Sequence, residues 1–195
     1  MQNEDQNRLY SVLVDYIPST VIKKKNRGQG WTYGYNKEFD VVVISKNGKI
    51  GEVYDINGLK IALPPEPMRV NSRSKYSEDQ YWERIEEPKA LKRIKSIFQW
   101  NQMPNEFKAQ WVSYIEKEFD KREYGHWFMN NGKPTYITGS HYMYIQWSSI
   151  DIGYPDFREA NRIFHIFWEA CKADPRAFGM VYLKIRRSGF SFMSS

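Results

Sequence analysis

Residues 183–191 of the chain read LKIRRSGFS. Lys184, Arg186 and Arg187 place three cations on four positions, and Gly189 and Ser191 follow directly behind them. Like charges so close repel one another unless an anion lies between them. A phosphate-binding loop needs a strand feeding a tight turn, inward-pointing backbone amides, the positive end of a helix, a lysine, and a hydroxyl for magnesium. Its usual spacing, G-x-x-x-x-G-K-[ST], is met here in part. Gly189 and Ser191 hold the second glycine and the hydroxyl, Phe190 stands where the lysine belongs, and Lys184 stands where the first glycine would be. Such a loop curls around the β-phosphate, so its first and last residues both approach the anion and a long ammonium stem at Lys184 reaches the same oxygens from the opposite side. Arg186 and Arg187 add guanidinium forks suited to charge developing on a γ-phosphate. The competing reading of these residues is a basic turn at a surface.

Several elements must position that turn. The apolar run MVYL, residues 180–183, reads as the strand entering it. Before it, Phe157, Ile163, Phe164, Phe167 and Trp168 suggest a helix from about Asp156 to Ala173, ended by Pro175 and Gly179. Residues 125–158 are rich in aromatic and turn residues, with NNGKP marking a reversal, and predict strands or irregular chain packed on helices. His126, His141 and His165 have no Cys or carboxylate at ligand spacing, which argues against a metal site. A helix beginning near Pro104 carries Phe107, Trp111, Ile115 and Phe119 as one apolar stripe, expected to face a core rather than to stack bases. Another helix is expected from Ser77, led by Glu78 and Asp79. Residues 39–63 predict a three-stranded meander turning at Asn47–Gly48 and Asn57–Gly58 and ended by Pro64, Pro65 and Pro67. The composition divides the chain into residues 1–75, a basic extension with this small β unit, and residues 76–195, a helical region leading into the loop.

The 41% apolar content over 195 residues is enough for a core. A formal charge of +6 favours polyanions as partners, and KKKNR at residues 23–27 is a basic arm or a wet surface. Cys171 is the single cysteine, so neither an internal disulfide nor a thiolate cage can form. It reads as a small buried apolar residue in a reducing setting. The first residues lack the pattern of a signal peptide, and no apolar run reaches the ~18 residues of a membrane span.

The run LKIRRSGFS resembles the deviant Walker A motif of phage terminase large subunits, the ATPases that package DNA, in its lambda-like form K-x-x-R-x-G-[YF]-S. Lys184, Arg187, Gly189, Phe190 and Ser191 match that form. Upstream, YITGSHYMYIQWSSIDIGYPDFR and DPRAFGMVYL are similar to the block leading into the ATPase core of large terminases from tailed phages, so the likeness covers about residues 120–195. It implies an α/β fold in which MVYL is the first strand of a P-loop NTPase domain of RecA-like type. It further implies ATP and Mg2+ as cofactors, with Lys184, Ser188, Gly189, Phe190 and Ser191 binding nucleotide and Ser191 on the magnesium side. Lys184, Arg186 and Arg187 would be the catalytic set, either arginine serving as a cis-acting finger. Tyr142, Tyr154, Phe157 and Arg158 would line the adenine pocket, with core packing as the plainer reading of the aromatics.

Double-stranded DNA, a portal protein, a small terminase subunit and a homo-oligomeric ring are the implied partners, and the host cytoplasm at the procapsid portal vertex the implied place. The family also has an acidic Walker B residue on a later strand and a two-metal nuclease domain. Neither follows Ser191, so the chain is expected to be the leading portion of a longer polypeptide and inactive alone. The alternative from composition is a basic, aromatic-rich module that grips nucleic acid by phosphate neutralisation and stacking, without nucleotide chemistry.

Overall fold

The computed structural model describes residues 10–11, 31–68, 70, 82–150 and 153–183, which form a mixed α/β structure. Strands β1 (Tyr10–Ser11), β2 (Gly34–Asn36), β3 (Val41–Val43), β4 (Val53–Ile56) and β5 (Leu59–Ala62) make one sheet in the order β1-β4-β5-β3-β2. Strands β6 (His126–Asn130) and β7 (Lys133–Ile137) make a separate hairpin. The helices are α1 (Lys89–Lys92), α2 (Ile97–Asn101), α3 (Asn105–Tyr124), α4 (Gly139–Trp147) and α5 (Glu159–Ala173). Among the described residues no helix is long and apolar enough to cross a membrane.

β3 forms because three valines in a row resist helix and pack well on a pleated surface. All three are buried, which requires cover on both faces. Val42 points into a core shared with Ile44, Ile61 and Leu63 of the sheet, Tyr136 of β7, and Ile166 and Ala170 of α5. Val41 and Val43 point the other way, against Trp31, Val53 and Ala62. The sheet thus shares its core with elements that follow much later in the chain.

The meander expected over residues 39–63 is corrected in one respect. Asn57–Gly58 does turn β4 into β5, with both residues at positive φ and the Asp55 carboxylate accepting from the Gly58 amide. Asn47–Gly48 makes no hairpin, because β3 pairs with β5 in parallel, Val42 opposite Ile61, and β4 lies beyond β5. A strand buried on both faces gains most between two neighbours, and β2 and β5 supply them. Asn47 and Gly48 serve a local turn instead: Asn47 Oδ1 accepts from the Lys49 amide and the Ser45 hydroxyl, and Gly48 O accepts from the Trp31 amide.

The helical half departs further from expectation. The start of the helix expected from Ser77 lies outside the described residues; residues 82–88 are irregular, and a helix follows at Lys89. Pro88 holds Glu87 out of the helical region, and the stretch is clamped instead by a side chain. Gln146 Oε1 accepts from Trp82 Nε1 at 3.1 Å and from the Ile85 amide at 3.2 Å, while its Nε2 donates to Ile85 O at 2.6 Å. α3 starts at Pro104 as expected. Its stripe does not face a core, however: Phe107, Trp111 and Ile115 are half-buried, Phe119 is exposed, and the buried residue of α3 is Glu118. What docks α3 is backbone. A Cβ on Gly139 would sit 1.8 Å from the Arg122 carbonyl oxygen, so only glycine lets α4 approach the end of α3 this closely.

α4 replaces the strand or irregular chain expected for YITGSHYMY. Thr138 caps it by accepting from the His141 amide. The reversal at NNGKP is the β6–β7 hairpin, turning at Asn131 and Gly132, both at positive φ. α5 agrees with its expected helix, starting three residues later than Asp156. The strand expected at MVYL does not form. Residues 180–183 are irregular, with Val181 and Leu183 exposed. A strand of a parallel sheet depends on neighbours on both sides, and no described strand pairs with this segment.

Candidate functional site

The residues expected to hold phosphate, Lys184, Arg186, Arg187, Ser188, Gly189, Phe190 and Ser191, lie outside the described residues, as does the basic segment at 23–27. What is described is the apparatus leading to them. α5 carries one face into the sheet core and ends at Ala173, with Asp174 as its cap. The Asp174 carboxylate accepts from Arg176 at its amide (2.9 Å), at Nε (3.0 Å) and at Nη2 (2.9 Å). This contact with Arg176 holds the Asp174 carboxyl below the usual carboxylate range. The same guanidinium lies 3.4 Å from the centre of the Tyr35 ring and 3.5 Å from Asp40 Oδ1. The chain leaving α5 is therefore tied to β2 and to the turn after it, a fixed departure point about ten residues before the cationic run. Further along, Tyr182 packs edge-on against Phe164 at 5.1 Å.

Below that contact sits a pair of stacked imidazoles. The His141 and His165 rings are 4.9 Å apart and inclined by 11°. His165 Nδ1 is 3.1 Å from Ser140 Oγ, its Nε2 has no hydrogen-bond partner, and neither ring nitrogen of His141 has one. Burial holds His165 neutral, lowering its pKa to about 4, with Lys172 adding to the effect. Burial also drives His141 well below the ordinary imidazole value, helped by His165 and Arg162. Two neutral, stacked rings are a packing unit in which one member keeps a hydroxyl contact. Among the described residues no cluster of three or more His, Cys, Asp or Glu could hold a metal ion.

The four residues associated with an adenine pocket are not brought together. Tyr142 and Phe157 belong to one buried aromatic cluster with Trp82, Phe128 and Ile137. Tyr154 is half-exposed and carries the Arg84 guanidinium 3.2 Å from its ring centre, and Arg158 is exposed at the start of α5. Core packing is thus the observed role of Tyr142 and Phe157.

Tyr142 also exposes what the sequence reading missed. Its hydroxyl donates to Glu118 Oε2 at 2.5 Å, and Lys121 Nζ donates to Glu118 Oε1 at 2.6 Å. Burial first, and the Glu118 carboxylate second, push the Tyr142 phenol up from its ordinary value, so it stays a donor. Arg162, buried on α5, donates through Nε to Tyr136 O at 2.6 Å and through Nη1 to Glu159 at 2.6 Å. The only sequence signal for these groups was a charged residue inside an otherwise apolar periodicity. Cys171 is half-buried, and burial raises its thiol.

No family model matches the chain, and neither a curated protein nor a solved structure was found similar to it.

Proposed function

We propose that this chain is the leading part of a terminase large subunit, a motor that uses ATP to drive double-stranded DNA through a portal into a capsid. The observation that carries the proposal is the order of residue types in LKIRRSGFS, which supplies lysine, arginine, glycine and hydroxyl at the spacing of the deviant phosphate loop. The fixed departure of the chain from α5 supports it, because a loop that senses a γ-phosphate needs a rigid anchor. In this reading the apolar residues 180–183 become the first strand of a P-loop NTPase sheet once neighbouring strands from a longer polypeptide flank them, which accounts for their exposed apolar surface.

Lys184 contacts the β- and γ-phosphates, Gly189 lets the backbone approach them, and the Ser191 hydroxyl faces Mg2+, with Ser188 and Phe190 completing the loop. Arg186 or Arg187 stabilises charge on the transferred phosphoryl group. Hydrolysis in this reading further requires an acidic residue of Walker B type to hold Mg2+ and orient the attacking water. A portal protein, a small subunit and further copies in a ring are the partners this role calls for, in the host cytoplasm.

The test is ATP turnover by the complete polypeptide. Lys184→Ala is expected to abolish turnover without loss of fold, and Arg186→Ala and Arg187→Ala, made separately, are expected to yield one variant that binds ATP yet hydrolyses it about a thousandfold more slowly. Turnover that survives Lys184→Ala overturns the lysine assignment. DNA binding with no turnover in any form of the polypeptide favours the nucleic-acid-binding module instead.

A further inference from the structure

A cleft of about 210 Å³ lies where α1, α2 and α3 meet the end of α4, far in sequence from the phosphate loop. Leu91, Ile94, Trp100, Ile115, Phe119 and Trp147 give it apolar and aromatic walls, and Arg122 stands among them. The Arg122 guanidinium lies 5.0 Å from the Trp147 ring centre and 5.5 Å from that of Phe119, and its Nε is buried without an acceptor. A buried, unpaired guanidinium N–H is costly, so the site is short of one hydrogen-bond acceptor.

The rim is equally unusual. Phe119, which lines the cleft, is 62% exposed, and Ile97 and Phe98, on α2 within a turn of the lining residue Trp100, are 80% and 70% exposed. Isolated exposed apolar residues mean little, but three large ones around a concave apolar site mark an interaction surface. On α1 and in the turn after it the chain also sets Lys89, Lys92, Arg93 and Lys95, all exposed, with no carboxylate between Lys89 and Asn105. Two acids, Glu87 and Glu118, are among the residues lining the cleft, and Glu118 is already engaged by Tyr142 and Lys121. The exposed segment from Lys89 to Lys95 is thus cationic, and it contributes Leu91 and Ile94 to the apolar lining of the cleft.

The geometry points to a docking site for an acidic, amphipathic peptide segment of a partner protein, which seats one aromatic or long aliphatic side chain in the cleft and lays its carboxylates along Lys89, Lys92, Arg93 and Lys95. A cavity of this size takes one large side chain rather than a whole cofactor. An anchored apolar residue beside an acceptor for Arg122 is the arrangement found at interface hot spots, where aromatic groups and arginine dominate. Helix-in-groove recognition uses the same combination of apolar anchors and a charged flank. The inference uses no residue of the phosphate loop and stands apart from the motor reading.

The experiment pans a displayed library of helical peptides, randomised in both charge and apolar content, against the 195-residue chain. Binding of the enriched peptides is then measured by fluorescence anisotropy. Expected are sequences that join a Phe, Trp or Leu anchor to flanking Asp and Glu, and that shift the indole resonances of Trp100 and Trp147 in heteronuclear spectra. Both Ile97→Ser with Phe98→Ser, and Lys92→Glu with Arg93→Glu, are expected to weaken binding at least about tenfold. These positions are exposed, and circular dichroism verifies that each variant folds. The proposal is overturned if no peptide is enriched, if the enriched peptides lack acids or an anchor, or if the variants bind them unchanged. Duplex DNA or anionic vesicles that bind this face, lose binding in the Phe98 variant and are not displaced by the peptides would overturn it in favour of those occupants.

Discussion

The sheet with α5 and the assembly of α3, α4 and residues 82–88 are both well buried, yet they are held by different forces. In the first, Val42, Ile61, Leu63 and Ile166 meet across β3, β5 and α5 with no polar atom required between them. In the second, Gln146 satisfies three groups of an irregular segment, Glu118 is bound by Tyr142 and Lys121, and the neutral His141 of α4 stacks on His165 of α5. An apolar core loses stability by degrees as atoms are removed, whereas a polar one fails when a single partner leaves a buried group unpaired. The first region is a platform that also holds the chain leaving α5, and the second fixes where α3 and α4 stand.

The comparison can be broken most forcefully at Gly139. Its Cβ would meet the Arg122 carbonyl, so Gly139→Ala should cost about 4 kcal/mol or prevent folding, read as a loss of the cooperative thermal transition. A cost under ~1 kcal/mol would show that the helix ends slide apart freely. On the apolar side, Ile61→Ala should cost about 3 kcal/mol by denaturant unfolding, and Ile61→Val roughly 1 kcal/mol. Gln146→Leu is nearly the same size and removes no apolar contact, yet it should cost about 2 kcal/mol because Trp82 Nε1 and both backbone groups of Ile85 lose their partner.

Acid is expected to weaken the fold through the histidine pair. His165 is about 4 when folded, below its unfolded value, so the unfolded state binds the proton first as pH falls. Stability is fully present above about pH 6.5 and declines between there and pH 4, by roughly 2 kcal/mol at pH 5, with His141 contributing in the same direction. His165→Phe should flatten that slope in urea titrations at successive pH values. An unchanged slope would place the acid sensitivity elsewhere.

Much of the platform was legible in the residues. Three consecutive valines, the Asn57–Gly58 turn and the amphipathic spacing of α5 each carry a local signal that packing respects, whereas Asn47–Gly48 carries a hairpin signal and no hairpin forms there. The parallel pairing of β3 with β5 was not legible, because it follows from burial on two faces and not from any turn. α4 was missed since Tyr142, Tyr144, Ile145 and Gln146 are all buried, leaving no polar face to reveal the helical period. For α3 the opposite held: spacing gave the helix but not its docking, which Gly139 and Glu118 decide from outside the apolar pattern. The cleft gathers residues 87 to 147 from four helices, so only its rim, IFQW behind a run of lysines, left a trace in the chain. The motif proposed to bind phosphate is the reverse case: its residue types stand together in LKIRRSGFS, and residues 184–191 lie outside the described residues.

The measurement that bears most directly on the motor reading is an experimental structure of the complete polypeptide with Mg2+ and a non-hydrolysable ATP analogue. The account predicts the Lys184 amine within about 3 Å of a β- or γ-phosphate oxygen, and the Ser191 hydroxyl beside the metal. An analogue bound elsewhere, with Lys184 turned away from every phosphate, would contradict it.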